Sequence, residues 1–371
     1  MFGWKYKGLI SFIVLVSFIL AACNKTVDDH TIRLSHQFSN NENNENREQN
    51  LHSFITEKLM GSQGVFTNLK DTDQNESFAT GHELLSESMG LLMRYYALTL
   101  QQDRFDDNLT LAQDVFLTES GFSYRYSPKH NKLYTVNAAV DDLRIIRALY
   151  EAAEIFENDS YYKKANQYAE RFMKYNTQNG NMFDFYDEYY RVQNNFITLC
   201  YIDLRTLSYM PNHPDQQIHI DQMSSIMQNG YLSDEFPFYE TRYVYETEDY
   251  QSEDINTIES MLTILSLAEV GMQRLESIEY IKKNVQHGTL YGKYAKDGAP
   301  KTDIQSTAIY AIAAMIGSEI GDEELYKQSI DQMERFQVLQ EGSELYGAYG
   351  DLGSMQAYSF DNLQALLAYA Y

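Results

Sequence analysis

Met261-Leu-Thr-Ile-Leu-Ser-Leu-Ala268 and Ala308-Ile-Tyr-Ala-Ile-Ala-Ala-Met315 decide the fold class. Each is apolar nearly all round at helical spacing, so a helix built from it leaves no face for water and must be covered by protein on every side. Comparable segments recur along the chain. Each opens on a polar residue in its first turn, at Glu87, Asp142, Asn195, Asn256, Ser306 and Asp361, with intervals of 50–61 residues. Short aromatic clusters at Phe66, Phe122, Phe183, Phe236, Tyr291 and Tyr346 keep the same period, 53–61 residues apart. Two independent markers with one period identify a repeat architecture.

Between the apolar segments lie amphipathic, charged ones, over 48–60, 106–119, 158–177, 216–229, 273–286 and 322–338. Tyr161-Tyr-Lys-Lys-Ala-Asn-Gln-Tyr-Ala-Glu-Arg-Phe-Met173 is representative, with its apolar residues on one stripe. Six inner and six outer helices in strict alternation predict an all-α fold, an (α/α)6 toroid whose inner-helix N-termini converge on one face. The aromatic clusters are expected there as short loops or strands. An open solenoid would need more repeats or capping helices.

With 371 residues and 44% apolar content, the chain can bury a full core. Its 29 Lys and Arg against 53 Asp and Glu leave a net charge of −24, which excludes nucleic acid as a partner, since phosphate binding needs clustered cations. Lys5 and Lys7 precede fifteen uncharged residues, Gly8 to Ala22, the pattern of a signal peptide over residues 1–22. This segment ends Leu20-Ala21-Ala22-Cys23 and resembles a bacterial lipobox, which implies an exported protein held on the outer face of the cell membrane by lipid on Cys23. Losing the leader's two lysines takes the charge to −26. Residues 23–50 are polar and read as a tether, and 51–371 as one catalytic-type domain, expected as a monomer. The remaining thiol, Cys200, sits in an apolar run and is expected in the core.

In a toroid the first turns of the inner helices and the aromatic loops before them surround a cleft. Tyr124, Tyr126, Phe185, Tyr186, Tyr239 and Tyr245 are therefore candidates to stack on sugar rings. Ser86-Glu-Ser-Met-Gly-Leu-Leu-Met93 places Glu87 at the start of a buried helix, with Gly90 allowing another backbone close. A carboxylate there is stabilised as the anion by the helix dipole, by roughly 0.3–1 kcal/mol; a general acid needs burial or a neighbouring carboxylate to push the other way.

The SExxGxxM pattern at Ser86 to Met93 resembles the general-acid motif of the family 8 glycoside hydrolases, which are six-hairpin α/α toroids. The resemblance implies Glu87 as the acid of an inverting glycosidase. Ala139-Val-Asp-Asp-Leu-Arg-Ile-Ile-Arg-Ala-Leu149 is similar to the family's second motif, which supplies a carboxylate that binds and distorts the sugar. Asp142 matches its second acidic position; Val140 replaces the first, unless the alignment slips to Asp141. Ser252-Glu-Asp-Ile-Asn-Thr-Ile-Glu259 is similar to the third motif and puts Asp254 where inverting members keep the base, with Thr257 and Glu259 replacing the family's Arg and Pro. Asn256 or Glu253 then takes over part of the sugar binding.

Other chemistries lack their residues. Asp71-Thr-Asp-Gln-Asn-Glu76 begins like a calcium loop, but Glu76 replaces the turn glycine and His82 the bidentate Glu. The eight histidines include no HExxH, and no nucleotide-binding glycine motif occurs. No cofactor or metal is expected. The preferred function is a surface-anchored glycoside hydrolase acting on a cell-envelope or secreted polysaccharide. A non-catalytic lipoprotein that binds a polysaccharide and assists its export is the alternative, and a lyase or epimerase is disfavoured by the chain's acidity.

Overall fold

The computed structural model describes residues 38, 42–72, 75, 78–211 and 216–371; the leader, Cys23 and most of the expected tether lie outside them. Six helical hairpins follow one another. The inner helices are α2 (Ser86–Leu98), α4 (Ala139–Ile155), α6 (Leu204–Tyr209), α8 (Thr257–Glu269), α10 (Thr307–Glu319) and α12 (Ser359–Tyr369). The outer ones are α1 (Glu42–Phe54), α3 (Gln102–Phe116), α5 (Asp159–Asn176), α7 (Gln216–Asn229), α9 (Leu275–His287) and α11 (Glu323–Glu334). Each inner helix packs on the next, and α12 packs back on α2, which closes the ring.

Burial follows the sequence pattern. All thirteen residues of α10 are buried, whereas α5 buries only Tyr161, Ala165, Tyr168, Ala169, Phe172 and Asn176, one stripe at helical spacing. Links from inner to outer helix are short, such as 99–101 and 156–158. Links from outer to inner are long and carry the strands. Leu84–Leu85, Arg125–Ser127 and Lys132–Leu133 form one antiparallel sheet, and Phe196–Thr198, Arg242–Val244 and Asp249–Gln251 another. These ribbons tie neighbouring hairpins together at the face where the inner helices begin.

Two expectations need correction. The first outer helix begins at Glu42, inside the stretch read as tether, because its polar residues have partners: Arg47 reaches Glu334 and Gln337, and Tyr95 donates to Glu48 at 2.7 Å. A π-helical turn, Ile55–Leu59, continues it. In the third hairpin the inner helix does not open at Asn195. Phe196–Thr198 is held extended by its pairing with Arg242–Val244 and by Asp184, which accepts from both the N–H and the hydroxyl of Thr198 at 2.6 Å. A 3-10 turn, Leu199–Tyr201, follows, and Asp203 caps the six-residue α6 by accepting from Thr206 N–H at 2.8 Å. Cys200 lies in that turn, half-buried rather than in the core.

The far end of the ring is closed by charge. Arg94 pairs with Glu151 (2.8 Å), Arg147 with Glu151 (2.9 Å) and Glu269 (2.6 Å), and Arg205 with Glu319 (2.6 Å). The Tyr371 hydroxyl, just past α12, accepts from Arg94 at 2.8 Å. Every inner helix or its immediate extension contributes a member, and all are buried. Glu269 and Glu319 end their helices, where the dipole disfavours an anion, so the arginines supply the compensation. Burial alone would raise Glu151 and Glu269; their arginine neighbours hold both below the usual carboxylate range.

Candidate active site

Strand Leu84–Leu85 delivers the chain to α2 in extended form, and Ser86 N–H donates to the Tyr124 carbonyl at 3.2 Å. Glu87 thus stands in the first turn of α2. One turn on, α2 meets α4 so closely that a Cβ on Gly90 would lie 2.8 Å from Cβ of Arg144. That approach sets the site's central feature. Arg144 Nη1 lies 2.8 Å from Glu87 Oε1 and 2.8 Å from Asp141 Oδ1, with the three side chains only 21, 8 and 12% exposed for Glu87, Asp141 and Arg144. Burial first, and the Glu87 charge second, push the Asp141 carboxyl up to about 7, against the pull of Arg144 and of Ser86, whose hydroxyl donates to it at 3.4 Å.

The carboxylate beside Glu87 is therefore that of Asp141. Asp142 faces the other way, accepting from Phe122 N–H at 2.7 Å and from Asn137 Nδ2 at 2.5 Å. A Cβ on Gly121 would sit 2.5 Å from its Oδ2, so the preceding loop is folded tightly onto this carboxyl. Burial pushes Asp142 up to about 8, opposed by those two donors. Its place is a buckle between loop and helix.

Next to the Glu87 group, the 3-10 turn at Leu199–Tyr201 brings further residues into range. Tyr201, half-buried, feels the charges of Asp141, Asp184 and Glu87, and Arg144 feels Cys200 and Tyr201. Burial raises Asp184 to about 6 despite its two bonds from Thr198. Glu259, in the first turn of α8, is also raised by burial, against Arg242, Thr241 and Lys293. Arg144, Asp184, Tyr201 and Glu259 were not among the sequence candidates. Their signals were present: Arg144 and Glu259 lie inside the two divergent motifs, and Asp184 inside the cluster Phe183-Asp-Phe-Tyr186.

Asp254 and Asn256 share an open cavity of about 610 Å³ with Arg242, Glu259 and Lys293. The Asp254 side chain is 32% exposed and lies 3.7 Å from Lys301 Nζ. The Asn256 amide oxygen is committed to capping α8, accepting from Ile258 and Glu259 N–H. Ser306, the cap residue before α10, and Asp361, in the first turn of α12, meet at 2.6 Å, so five of the six repeat markers lie at the start of an inner helix and only Asn195 does not.

The aromatic candidates divide. Tyr126 and Tyr239 are buried, the first donating to Asn131 at 2.7 Å and the second packed edge-on against Tyr231, so neither ring is free for a sugar. Tyr124, Phe185, Tyr186 and Tyr245 are half-buried at the cleft face, though the Tyr245 hydroxyl is used by the Met182 carbonyl and the Tyr186 ring leans on Tyr175. The most exposed rings were not anticipated. Tyr189 and Tyr190, 74 and 70% exposed, stand on a hairpin whose turn is held by Asp187 accepting from both their N–H groups. His82 stacks on Phe66 and bonds the Leu69 carbonyl at 3.0 Å. Among the described residues no group of three or more His, Cys, Asp or Glu is arranged to hold a metal.

No protein-family model matches the chain. A Bacillus subtilis (strain 168) chain, YdaJ, which carries the name of a lipoprotein, is 27% identical over 324 residues, 85% of this chain and 84% of its own. A solved Clostridium perfringens structure, titled a novel alpha-amylase, is 32% identical, with 87% of this chain and 97% of that chain covered and a TM-score of 0.81. An endoglucanase of Klebsiella pneumoniae, titled a family 8 glycosyl hydrolase, shares the fold at a TM-score of 0.59 and 12% identity, over 86% of this chain and 97% of its own.

Proposed function

We propose that the chain is a divergent member of the family 8 glycoside hydrolases, whose fold it shares, and that it is an exported, lipid-anchored glycosidase that cleaves a cell-envelope or secreted polysaccharide with inversion. The observation that carries this reading is the seating of Glu87 at the mouth of the ring, part-shielded from water and 2.8 Å from the same guanidinium nitrogen as Asp141. Glu87 gives its proton to the glycosidic oxygen as the bond to C1 breaks. Asp141 faces the same sugar and favours the positive charge that develops on its ring. Asp254 takes a proton from the attacking water on the opposite side, which requires a separation of roughly 6.5–9.5 Å from the acid. Tyr124, whose carbonyl anchors the start of α2, lies beside the acid, and Phe185, Tyr186 and Tyr245 extend the aromatic wall.

The relatives' names point to glucans, α-linked for the clostridial amylase and β-linked for the endoglucanase, so soluble starch, a β-1,4-glucan and the producer's own extracellular polysaccharide are the substrates to try. The test is release of new reducing ends by the domain from about residue 42, with the anomer formed followed by NMR. Glu87→Gln keeps the shape and loses the proton, so turnover should fall at least about 10²-fold. Equal turnover would remove Glu87 from the role. One observation favours a binding-only protein: Asp254 is paired with Lys301, and the motif around it has lost the family's Arg and Pro. Binding of a glycan without any reducing ends would select that reading. Anchoring is tested by Cys23→Ser, which should move the protein out of the membrane fraction; the relative's name as a lipoprotein supports this, and no described helix is long and apolar enough to span a bilayer.

A further inference from the structure

Arg144 has no role in the reading above, yet it occupies the centre of the site. One nitrogen, Nη1, serves both Glu87 Oε1 and Asp141 Oδ1 at 2.8 Å, and the side chain is only 12% exposed. The site is built for this residue. Gly90 on α2 leaves the space that the Arg144 stem fills, and any larger residue at 90 would strike it. In the sequence, Arg144 falls within the divergent second motif, directly after Asp142-Leu143.

We propose that Arg144 is a positioning residue that gathers Glu87 and Asp141 onto one cation and takes up the charge left on Glu87 when that residue gives its proton away. This inference rests on Glu87 being the acid. In the step itself the Glu87 O–H bond breaks, its proton forms a bond to the glycosidic oxygen, and the C1–O electron pair leaves with that oxygen. Glu87 is then an anion beside the Asp141 anion. Without Arg144 two like charges would face each other in a poorly hydrated site, where an opposite charge shifts a carboxyl by about 1–3 pH units.

The charged and titratable groups facing the cluster are Glu87 from α2, Asp141 and Arg144 from α4, and Cys200 and Tyr201 from the turn before α6. Asp142 is directed to Phe122 and Asn137 but feels the Asp141 charge, Asp184 acts on Cys200 and Tyr201, and Glu259 acts on Cys200. Cys200 and Tyr201 are both raised by burial and stay neutral across the working range, so Arg144 is the cation that opposes burial and mutual repulsion at the two carboxyls.

The experiment follows the carboxyl carbons of Glu87 and Asp141 by NMR in protein labelled with ¹³C at those carbons, assigned with Glu87→Gln and Asp141→Asn, across pH 4–9. In Arg144→Gln the pair should take up its first proton about one pH unit or more higher than in the unmodified protein. Arg144→Lys, which keeps the charge, should return most of that shift. Should Arg144→Gln not fold, the lysine and unmodified proteins still decide the matter through the pH–rate profile: the alkaline limb of kcat/KM should coincide in the two, while kcat drops about tenfold or more because the flexible lysine stem does not hold its ammonium where the planar guanidinium places its nitrogen. An unshifted titration in Arg144→Gln, or full kcat in Arg144→Lys, overturns the proposal. A protein that releases no sugar from any glycan overturns the hydrolase reading instead, and the NMR titration separates the two failures.

Discussion

Asp142 shows how a single register step divides two adjacent acids between different tasks. Asp141 faces Glu87; its neighbour, about 100° further round the helix, faces Phe122 and Asn137 and ties down a loop. The motif resemblance pointed to this pair but could not say which member turned to Glu87, because that depends on how α4 is rotated against α2. Titration exposes the difference. Both acids bind a proton more tightly folded than unfolded, so the folded chain carries more protons than the unfolded one up to about pH 8. Stability is therefore lost as pH rises through that range. The opposing group, His52, held down to about 4 by burial, is neutral in the fold and loses its remaining unfolded-state charge as pH rises past its ordinary value of 6.5. We expect Tm to fall by several degrees between about pH 6.5 and 8.5, and to fall less in Asp142→Asn. That variant should also cost about 1–3 kcal/mol in denaturant at pH 6.5, since its amide turns a donor toward the Asn137 donor.

Helices were legible where one rule governed them and illegible where two competed. The all-round apolar character of α8 and α10, and the stripes of α5 and α7, located those elements within a few residues. The third hairpin misled because Phe196-Ile-Thr-Leu-Cys-Tyr-Ile202 is apolar enough for either state. Asp184 and the Arg242–Val244 strand, both distant in sequence, select the extended one. The cap that does begin the helix, Asp203, was not singled out. Gly90 is the complementary case, where one residue states an inter-helix distance. Gly90→Ala should drive α2 and α4 apart at Arg144, costing about 1–3 kcal/mol by overpacking although alanine is the better helix former. Its turnover should fall with Arg144 displaced. An alanine variant as stable and as active as the original would show that the approach has slack.

The molecule as a whole pairs an open end, where the inner helices begin, with a closed, charged one. The closed end was invisible in the sequence, because Arg94, Arg147, Arg205, Glu151, Glu269 and Glu319 read as isolated charges in apolar helices, and only ring closure brings them together. Glu269→Gln should cost about 3–5 kcal/mol, the loss expected when one partner of a buried ion pair is removed. Denaturant unfolding checks this, and sugar binding at saturating glycan should persist in the variant.

The charged hub also bears on how the domain is assembled. Its ion pairs join residues as far apart as Arg205 and Glu319, or Arg147 and Glu269, so only the closed ring pairs every member. A chain that formed its hairpins one at a time would leave Arg94 and then Arg205 short of their partners in an apolar setting until later hairpins arrived. A folding transition in which the hairpins form together, with no stable partial ring, is the expectation that this wiring carries.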